Sequence, residues 1–536
     1  MAVATVDQEK ISLKVLFPKG HNKVIFAETD NNFVDALFSI VALPLGTIVR
    51  ILGKSPDQRL NPLVSLQNLH KSLVELPASY LSAEESKFMM LNPRTSISIH
   101  DCFGHLKLKI DDTEPTKHFI CENEGCNPKS RSYFSTCSVA RCHHCRKEMT
   151  REIKYDLSFD PTQGGALVPD PKTFIVTDDL FVIPNTLDAG LRLLCDRGFT
   201  NASHLEERTI DIGREQMLIL LRAALVLKYP LTYLVFHTVH PIGTPVRSLT
   251  ANEEDRSLKT MTLKLTLQKS TSKFLFAEAG EDFVDFLFGF LEIPLGTIIT
   301  ESMNDKTYLE SLENLYDSIY GMSFDQCIRW HYIKPMLTDP QLAWKYVSEN
   351  QISPLYTSKV SSQINYLSSV LGGTMVQWAN VSDSMYNLTF KDPRVEGRYV
   401  KKAMKFMITD DLIVTRFSTI SAIAIMNESK VPLKDLEHHV VTIGIEEGLK
   451  ILNASLKSSS TLTDVLLGPI IEKKKRDLFQ TSLEIQLFLE IDHLESVSIN
   501  DSRKGHEEGD ADEFPSLSKK YGGPSMDQFT GIKRKK

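Results

Sequence analysis

Lys23-Val-Ile-Phe-Ala-Glu28, Phe33-Val-Asp-Ala-Leu-Phe38 and Pro44-Leu-Gly-Thr-Ile48 return 250 residues later. There they read Lys273-Phe-Leu-Phe-Ala-Glu278, Phe283-Val-Asp-Phe-Leu-Phe288 and Pro294-Leu-Gly-Thr-Ile298. The offset holds from Leu13–Ile48 to Leu263–Ile298, with Lys14 and Lys19 matched by Lys264 and Lys269. Ser65-Leu-Gln-Asn-Leu69 then meets Ser311-Leu-Glu-Asn-Leu315, and Phe174-Ile-Val-Thr-Asp-Asp-Leu180 meets Phe406-Met-Ile-Thr-Asp-Asp-Leu412. Ile212-Gly213, Glu215 and Leu218 meet Ile443-Gly444, Glu446 and Leu449. Motifs kept twice in one order point to a tandem duplication. The expected layout is a first copy at 10–242, a linker at 243–260, a second copy at 261–470 and a charged tail at 471–536. From Thr47 to Thr177 the first copy carries 18 residues more than the second does from Thr297 to Thr409.

Each copy reads as α+β. Ile11–Phe17 and Lys23–Glu28 are strand-like around the turn Pro18-Lys-Gly-His-Asn22. Asp30, Asn31 or Asn32 can cap a helix whose apolar positions Phe33, Val34, Leu37, Phe38 and Val41 follow helical spacing. Pro44 is expected to end that helix. Phe174–Leu180 and Lys405–Val414 read as strands around an acidic turn, and Arg214–Leu227 and Ile445–Leu456 as amphipathic helices closing each copy. Charge blocks and low hydrophobicity from about Ser496 predict a disordered tail.

Composition excludes several classes. The 536 residues hold 61 Lys and Arg against 68 Asp and Glu, a formal charge of −7, with 42% hydrophobic residues. That balance opposes a protein gripping nucleic acid over its whole surface. Leu37–Val49 is too short to span a bilayer, and Phe283–Ile299 is broken by Asp285, Glu292 and Pro294. Asp7 and Glu9 interrupt any signal-peptide pattern. Six of the eight cysteines fall between Cys102 and Cys145, a clustering that in a reducing compartment signals metal rather than disulfides. The expectation is a cytoplasmic or nuclear protein, neither secreted nor membrane-spanning.

Cys121-Glu-Asn-Glu-Gly-Cys126 and Cys142-His-His-Cys145 are two ligand pairs 15 residues apart. Two such turns can fill the corners of a tetrahedral zinc site, making an insert of about 117–150 a zinc ribbon. Cys121, Cys126, Cys142 and Cys145 are the candidate ligands; His143, His144, Cys102 and Cys137 are the available substitutes. Four protein ligands leave no open position, so the Zn2+ would be structural. Lys129, Arg131, Arg141, Arg146 and Lys147 would offset the negative charge of four thiolates. A redox dithiol at Cys142–Cys145 would need a thioredoxin-like βαβ setting, which the sequence does not show.

The ordered motifs Phe-Ala-Glu, Phe-Val-Asp, Leu-Phe, Pro-Leu-Gly-Thr-Ile and Thr-Asp-Asp-Leu surround that cysteine insert. Together with Lys109-Ile-Asp-Asp-Thr-Glu-Pro-Thr-Lys117, they resemble the plant family called domain of unknown function 674. The resemblance covers about residues 10–470. It implies a plant protein and carries no catalytic residue, because the family has no assigned activity.

Other motifs have structural readings. Asp178-Asp179 and Asp410-Asp411 read as turn residues before they read as paired catalytic carboxylates. Lys14, Glu28 and Asp35 recur at Lys264, Glu278 and Asp285, as fold maintenance or a duplicated pocket would both require. Phosphate-binding loops, an HExxH stretch and a Gly-x-Ser-x-Gly elbow are absent from the sequence. His438-His439 reads as a solvated helix or loop edge, and Lys473–Arg476 and Lys533–Lys536 as basic clusters that nuclear import could use. The leading expectation is a non-enzymatic scaffold for a protein partner. The rivals are an enzyme with a pocket between the copies and, less favoured, a nucleic-acid binder acting through the ribbon.

Overall fold

Alternation builds the first strand. In β1 (Ile11–Pro18) Ile11, Leu13, Val15 and Phe17 are buried while Ser12 and Lys14 face solvent, the period of two that places one face on a core. The computed structural model describes residues 10–239, 260–338, 388–476 and 480, less internal stretches of which 94–105 and 154–166 are the longest. Cys102, Cys327, almost all of the expected linker at 243–260 and the tail from 481 lie outside the described residues. The chain divides into two units, Met1–Pro469 and Ile470–Lys536. The few described residues of the second unit are helical.

After β1 come β2 (Phe26–Asp30), α1 (Asn31–Val41), α2 (Leu45–Gly53), α3 (Val64–Glu75), α4 (Glu84–Leu91), β3 (His118–Ile120), β4 (Ser132–Ser135) and β5 (Arg151–Ile153). The first half closes with β6 (Thr173–Thr177), β7 (Val182–Pro184), α5 (Leu187–Asp196), β8 (Leu205–Ile212), α6 (Arg214–Ala224) and α7 (Pro230–Phe236). The second half runs β9 (Met261–Gln268), β10 (Phe274–Gly280), α8 (Glu281–Gly289), α9 (Leu295–Ser302), α10 (Glu310–Gly321), α11 (Ile333–Thr338) and β11 (Leu388–Phe390). It ends with β12 (Lys405–Ile408), β13 (Val414–Arg416), α12 (Thr419–Glu428), β14 (Leu436–Ile443) and α13 (Ile445–Lys457).

Two five-stranded sheets share one plan. Their orders are β7-β6-β2-β1-β8 and β13-β12-β10-β9-β14, and every neighbouring pair is antiparallel. This is the expected α+β class. Three local readings change. The strand expected at Lys23–Glu28 starts at Phe26, although Ile25 already donates its N–H to the Leu16 carbonyl at 2.9 Å. The first helix, capped by the Asp30 carboxylate on the Phe33 N–H at 3.3 Å, stops at Val41. Pro44 instead opens α2, where a residue lacking an N–H costs nothing because the first turn has no partner for it. His438 and His439 sit in strand β14, with His438 Nδ1 3.2 Å from Thr266 Oγ1.

The halves interlock by exchanging a helix. On α3, Ser65, Asn68 and Ser72 fall at i, i+3 and i+7, a spacing that puts them on one face. That face meets the second sheet and α13: Ser65 Oγ donates to the Ser458 carbonyl (2.7 Å), Asn68 Nδ2 to the Asp411 carboxylate (2.9 Å), and the Val414 N–H to Ser72 Oγ (2.9 Å). On α10, Ser311, Asn314 and Ser318 repeat the pattern against the first half. Ser311 Oγ donates to the Leu227 carbonyl (3.1 Å), Asn314 Nδ2 to the Asp179 carbonyl (2.9 Å), and the Val182 N–H to Ser318 Oγ (2.8 Å).

Between them Leu45 N–H donates to the Ile293 carbonyl and Leu295 N–H to the Leu43 carbonyl, each at 2.9 Å, pairing Pro44 with Pro294. Gly46 permits this approach, since a Cβ there would stand 2.8 Å from the Leu291 carbonyl oxygen. Among the described residues no helix is long and apolar enough to cross a membrane.

Candidate metal centre

A third sheet, ordered β11-β4-β3-β5, carries the cysteines. Its strands have three or four residues each, too few to be stable on pairing alone. Cys121 follows β3 directly. The chain then turns through Glu124–Cys126, with the Cys126 N–H on the Asn123 carbonyl (2.9 Å) and the Gly125 N–H on Asn123 Oδ1 (3.0 Å). The opposite turn is closed by Cys142 N–H on the Lys147 carbonyl (2.8 Å) and Arg146 N–H on the Cys142 carbonyl (3.1 Å). Arg146 takes φ 62° to make it, a left-handed conformation that glycine more often supplies.

These two turns bring four sulfur atoms together. The Sγ atoms of Cys121, Cys126, Cys142 and Cys145 all lie within 4.8 Å of one another, with Cys121 and Cys145 3.4 Å apart. A tetrahedral ion with metal–sulfur bonds of about 2.3 Å needs sulfur–sulfur edges of about 3.8 Å, so the cluster has the right size. Cys121, Cys126 and Cys142 are buried and all four are free thiols. Ala140 and Met149 pack against them, with Phe119 and Tyr133 at the margin.

The electrostatics of the turns favour anionic sulfur at one corner and oppose it at others. Burial pushes the Cys121 thiol up to about 12 and also raises Cys126. The Lys147 backbone N–H, helped by the Cys121 thiol, draws Cys145 down to about 7. The backbone N–H of Asn123 plays the same part for Cys121, where burial outweighs it. A divalent cation held at the centre would supply the positive charge that buried thiolates lack.

The substitute ligands take other places. His143 and His144 are exposed and lie against the half-buried Tyr133 ring, with centroids 5.2 and 5.9 Å away. Cys137 touches the margin of the cluster but stands outside the group of four, its thiol raised by burial. Arg141, Arg146 and Lys147 are exposed; Lys129 and Arg131 lie outside the described residues.

A family model described as "Protein of unknown function (DUF674)" matches residues 7–446, which include both large sheets and all four cysteines. The chain belongs to the DUF674 family. No curated protein and no solved structure matches it.

In this DUF674 chain the motifs that recur in both halves are spent on the fold. Lys14 stands opposite Glu28 on β1 and β2, and Lys264 opposite Glu278 on β9 and β10, where Nζ and Oε1 are 2.9 Å apart. Asp35, 2% exposed on α1, takes the N–H groups of Leu167 (3.2 Å) and Val168 (2.9 Å). Asp285 does the same for Tyr399 (2.8 Å) and Val400 (3.0 Å).

Asp178 accepts from the N–H and Oγ1 of Thr232, and Asp410 from those of Thr463, at 2.6 to 2.7 Å. Asp179 and Asp411 each accept from the threonine two residues earlier, at 2.5 Å. Leu180 and Leu412 complete the turn at φ 63° and 62°. The Thr-Asp-Asp-Leu motif is therefore a turn that also anchors a following helix, and its carboxylates are not paired toward a common target.

Sequence reasoning missed Tyr133, the left-handed backbone of Arg146 and strand β11. Nothing in the spacing signals that a three-residue segment 256 residues downstream pairs in parallel with β4, setting Leu388 opposite Ser132 and Phe390 opposite Phe134.

Proposed function

We propose that this chain is a non-enzymatic binding protein made of two tandem copies of one α+β unit, in which Cys121, Cys126, Cys142 and Cys145 hold one structural zinc ion. The observation that carries the reading is the convergence of four thiols from two opposed turns. Four sulfur ligands suit zinc and leave no coordination position for substrate. The ion would fix a ribbon whose short strands cannot hold one another, and so fix the place of β11, which the second half contributes. Only the first copy has the ligands; Cys327 is the single cysteine of the second.

Two further facts support the reading, one for the duplication and one for the scaffold over the enzyme. The shared strand order and the reciprocal Ser-Asn-Ser contacts are what a duplicated unit with an exchanged helix produces. The recurring Lys, Glu and Asp residues pair across strands or anchor backbone, rather than gathering at a pocket between the halves.

Elemental analysis of the full-length chain tests the site. About one zinc per chain is expected, lost in Cys121→Ser and Cys142→Ser and retained in Cys137→Ser. Cobalt exchanged into the wild-type chain should give the ligand-field absorption of a tetrahedral thiolate centre, a readout that does not depend on a variant folding. A metal-free chain, or equal loss in Cys137→Ser, would overturn the assignment.

A further inference from the structure

The turn that carries Cys142 and Cys145 also carries, on its exposed side, His143, His144, Arg146 and Lys147. Tyr133 on β4 joins the two histidines in one group: His143 tilts 34° to the Tyr133 ring at 5.2 Å, His144 stands edge-on to it at 5.9 Å, and the two imidazoles are 5.6 Å apart at 84°. Three rings thus meet at a wet surface, two of them exposed. Rings set at such different angles leave faces unstacked and open to a flat ligand.

The charge around them is sorted. Residues 117–153 hold seven Lys and Arg against four Glu, and a zinc tetrathiolate would return two negative charges to the buried centre. Three of the four acids have partners away from that turn: Glu152 with Lys117 (3.8 Å), Glu124 with Arg151 (4.0 Å), and Glu122 with the Thr150 hydroxyl (2.6 Å). The fourth, Glu148, is exposed beside Lys147, and its backbone bridges to that of Arg141. Arg146 and Lys147 make no ion pair among the described residues and flank the histidines.

Exposed rings beside unpaired cations match a strand of unpaired nucleotides, whose bases stack on rings and whose phosphates seek Lys and Arg. A duplex hides its base faces and would use only the cations. An acidic peptide would likewise leave the rings idle. We propose that this face of the ribbon binds single-stranded nucleic acid, with Tyr133, His143 and His144 as the stacking surface and Arg146 and Lys147 as the phosphate contacts. The proposal rests on the zinc reading, because the ion holds the turn that presents these groups.

The test is fluorescence anisotropy with the full-length, zinc-loaded chain and labelled oligouridylate and oligothymidylate, alongside a duplex and polyglutamate. Micromolar or tighter binding of a single strand at low salt is expected, weaker for the duplex and for polyglutamate; the two single strands show whether the site separates RNA from DNA. Tyr133→Ala and the double variant His143→Ser, His144→Ser should each weaken binding about tenfold, with zinc content unchanged. Arg146→Gln with Lys147→Gln should flatten the slope of log K against log salt by about 1.4.

A chain without zinc defeats the metal assignment before any binding is measured. A chain with zinc that ignores single strands, binds duplex or polyglutamate equally well, or is indifferent to Tyr133→Ala and the histidine pair defeats this proposal alone.

Discussion

Replacing Ser72 and Ser318 by alanine probes the helix exchange directly. Each hydroxyl is buried, 4% and 3% exposed, and each is the acceptor for a backbone N–H from the other half: Val414 at 2.9 Å and Val182 at 2.8 Å. Each also donates back along its own helix, to Asn68 at 2.8 Å and Asn314 at 2.6 Å. Alanine removes the acceptor and leaves a buried N–H with none, which costs about 1–3 kcal/mol.

The two sites share no partner, so the losses should add to about 4 kcal/mol in the double variant. Urea unfolding of the full-length chain, followed by fluorescence and circular dichroism, measures both effects. Because each half supplies a helix to the other, residues 10–469 should unfold in one transition, with both probes coincident. Single variants within about 0.5 kcal/mol of wild type, or a chain that unfolds half by half, would refute the reasoning.

Two other perturbations separate structural from catalytic readings. Burial raises Asp178 to about 6 in the folded chain, against about 3.9 unfolded. The folded state therefore binds the extra proton between those values, and this group's contribution to stability falls by about 3 kcal/mol as pH rises from 4 to 6, then levels off. Asp178→Asn should flatten that part of the stability profile, and urea midpoints across pH 4–7 would show it; Asp410, also raised by burial, adds a slope of the same sign. Glu278→Gln breaks a part-exposed cross-strand pair with Lys264 and should change unfolding free energy by no more than about 0.5 kcal/mol. A loss of several kcal/mol by the same urea titration would mean that the pair does more than align two strands.

Legibility followed the range of the interaction. Strand β1, helix α1 and helices α6 and α13 announce themselves through apolar periods, because a half-buried element must alternate in register with its own geometry. Asp30 was readable as one of three candidate caps with Asn31 and Asn32, since a cap acts within three residues, and the structure selects it. Helix α2 was obscured by Pro44, which ends a helix in one register and opens one in another; the choice depends on the bridge to Pro294.

The four candidate ligands were readable because chelating turns need short spacings. Whether a histidine replaced a cysteine was not, because Tyr133, on a different strand, draws His143 and His144 to the surface. The Ser-Asn-Ser positions at i, i+3 and i+7 stood in the sequence on amphipathic helices that also carry charged residues, without saying what they faced.

The sequence by itself determined the repeated motif order, the α+β character of each half and the identity of the four thiols, since all three are written in local spacing. Only the tertiary structure decided that α3 and α10 cross to the opposite half, that β11 completes the ribbon, and that the recurring Asp35, Asp285, Asp178 and Asp410 hold backbone N–H groups. Those outcomes depend on which groups meet across hundreds of residues, where a buried N–H must find an acceptor and the chain's local pattern does not name which one.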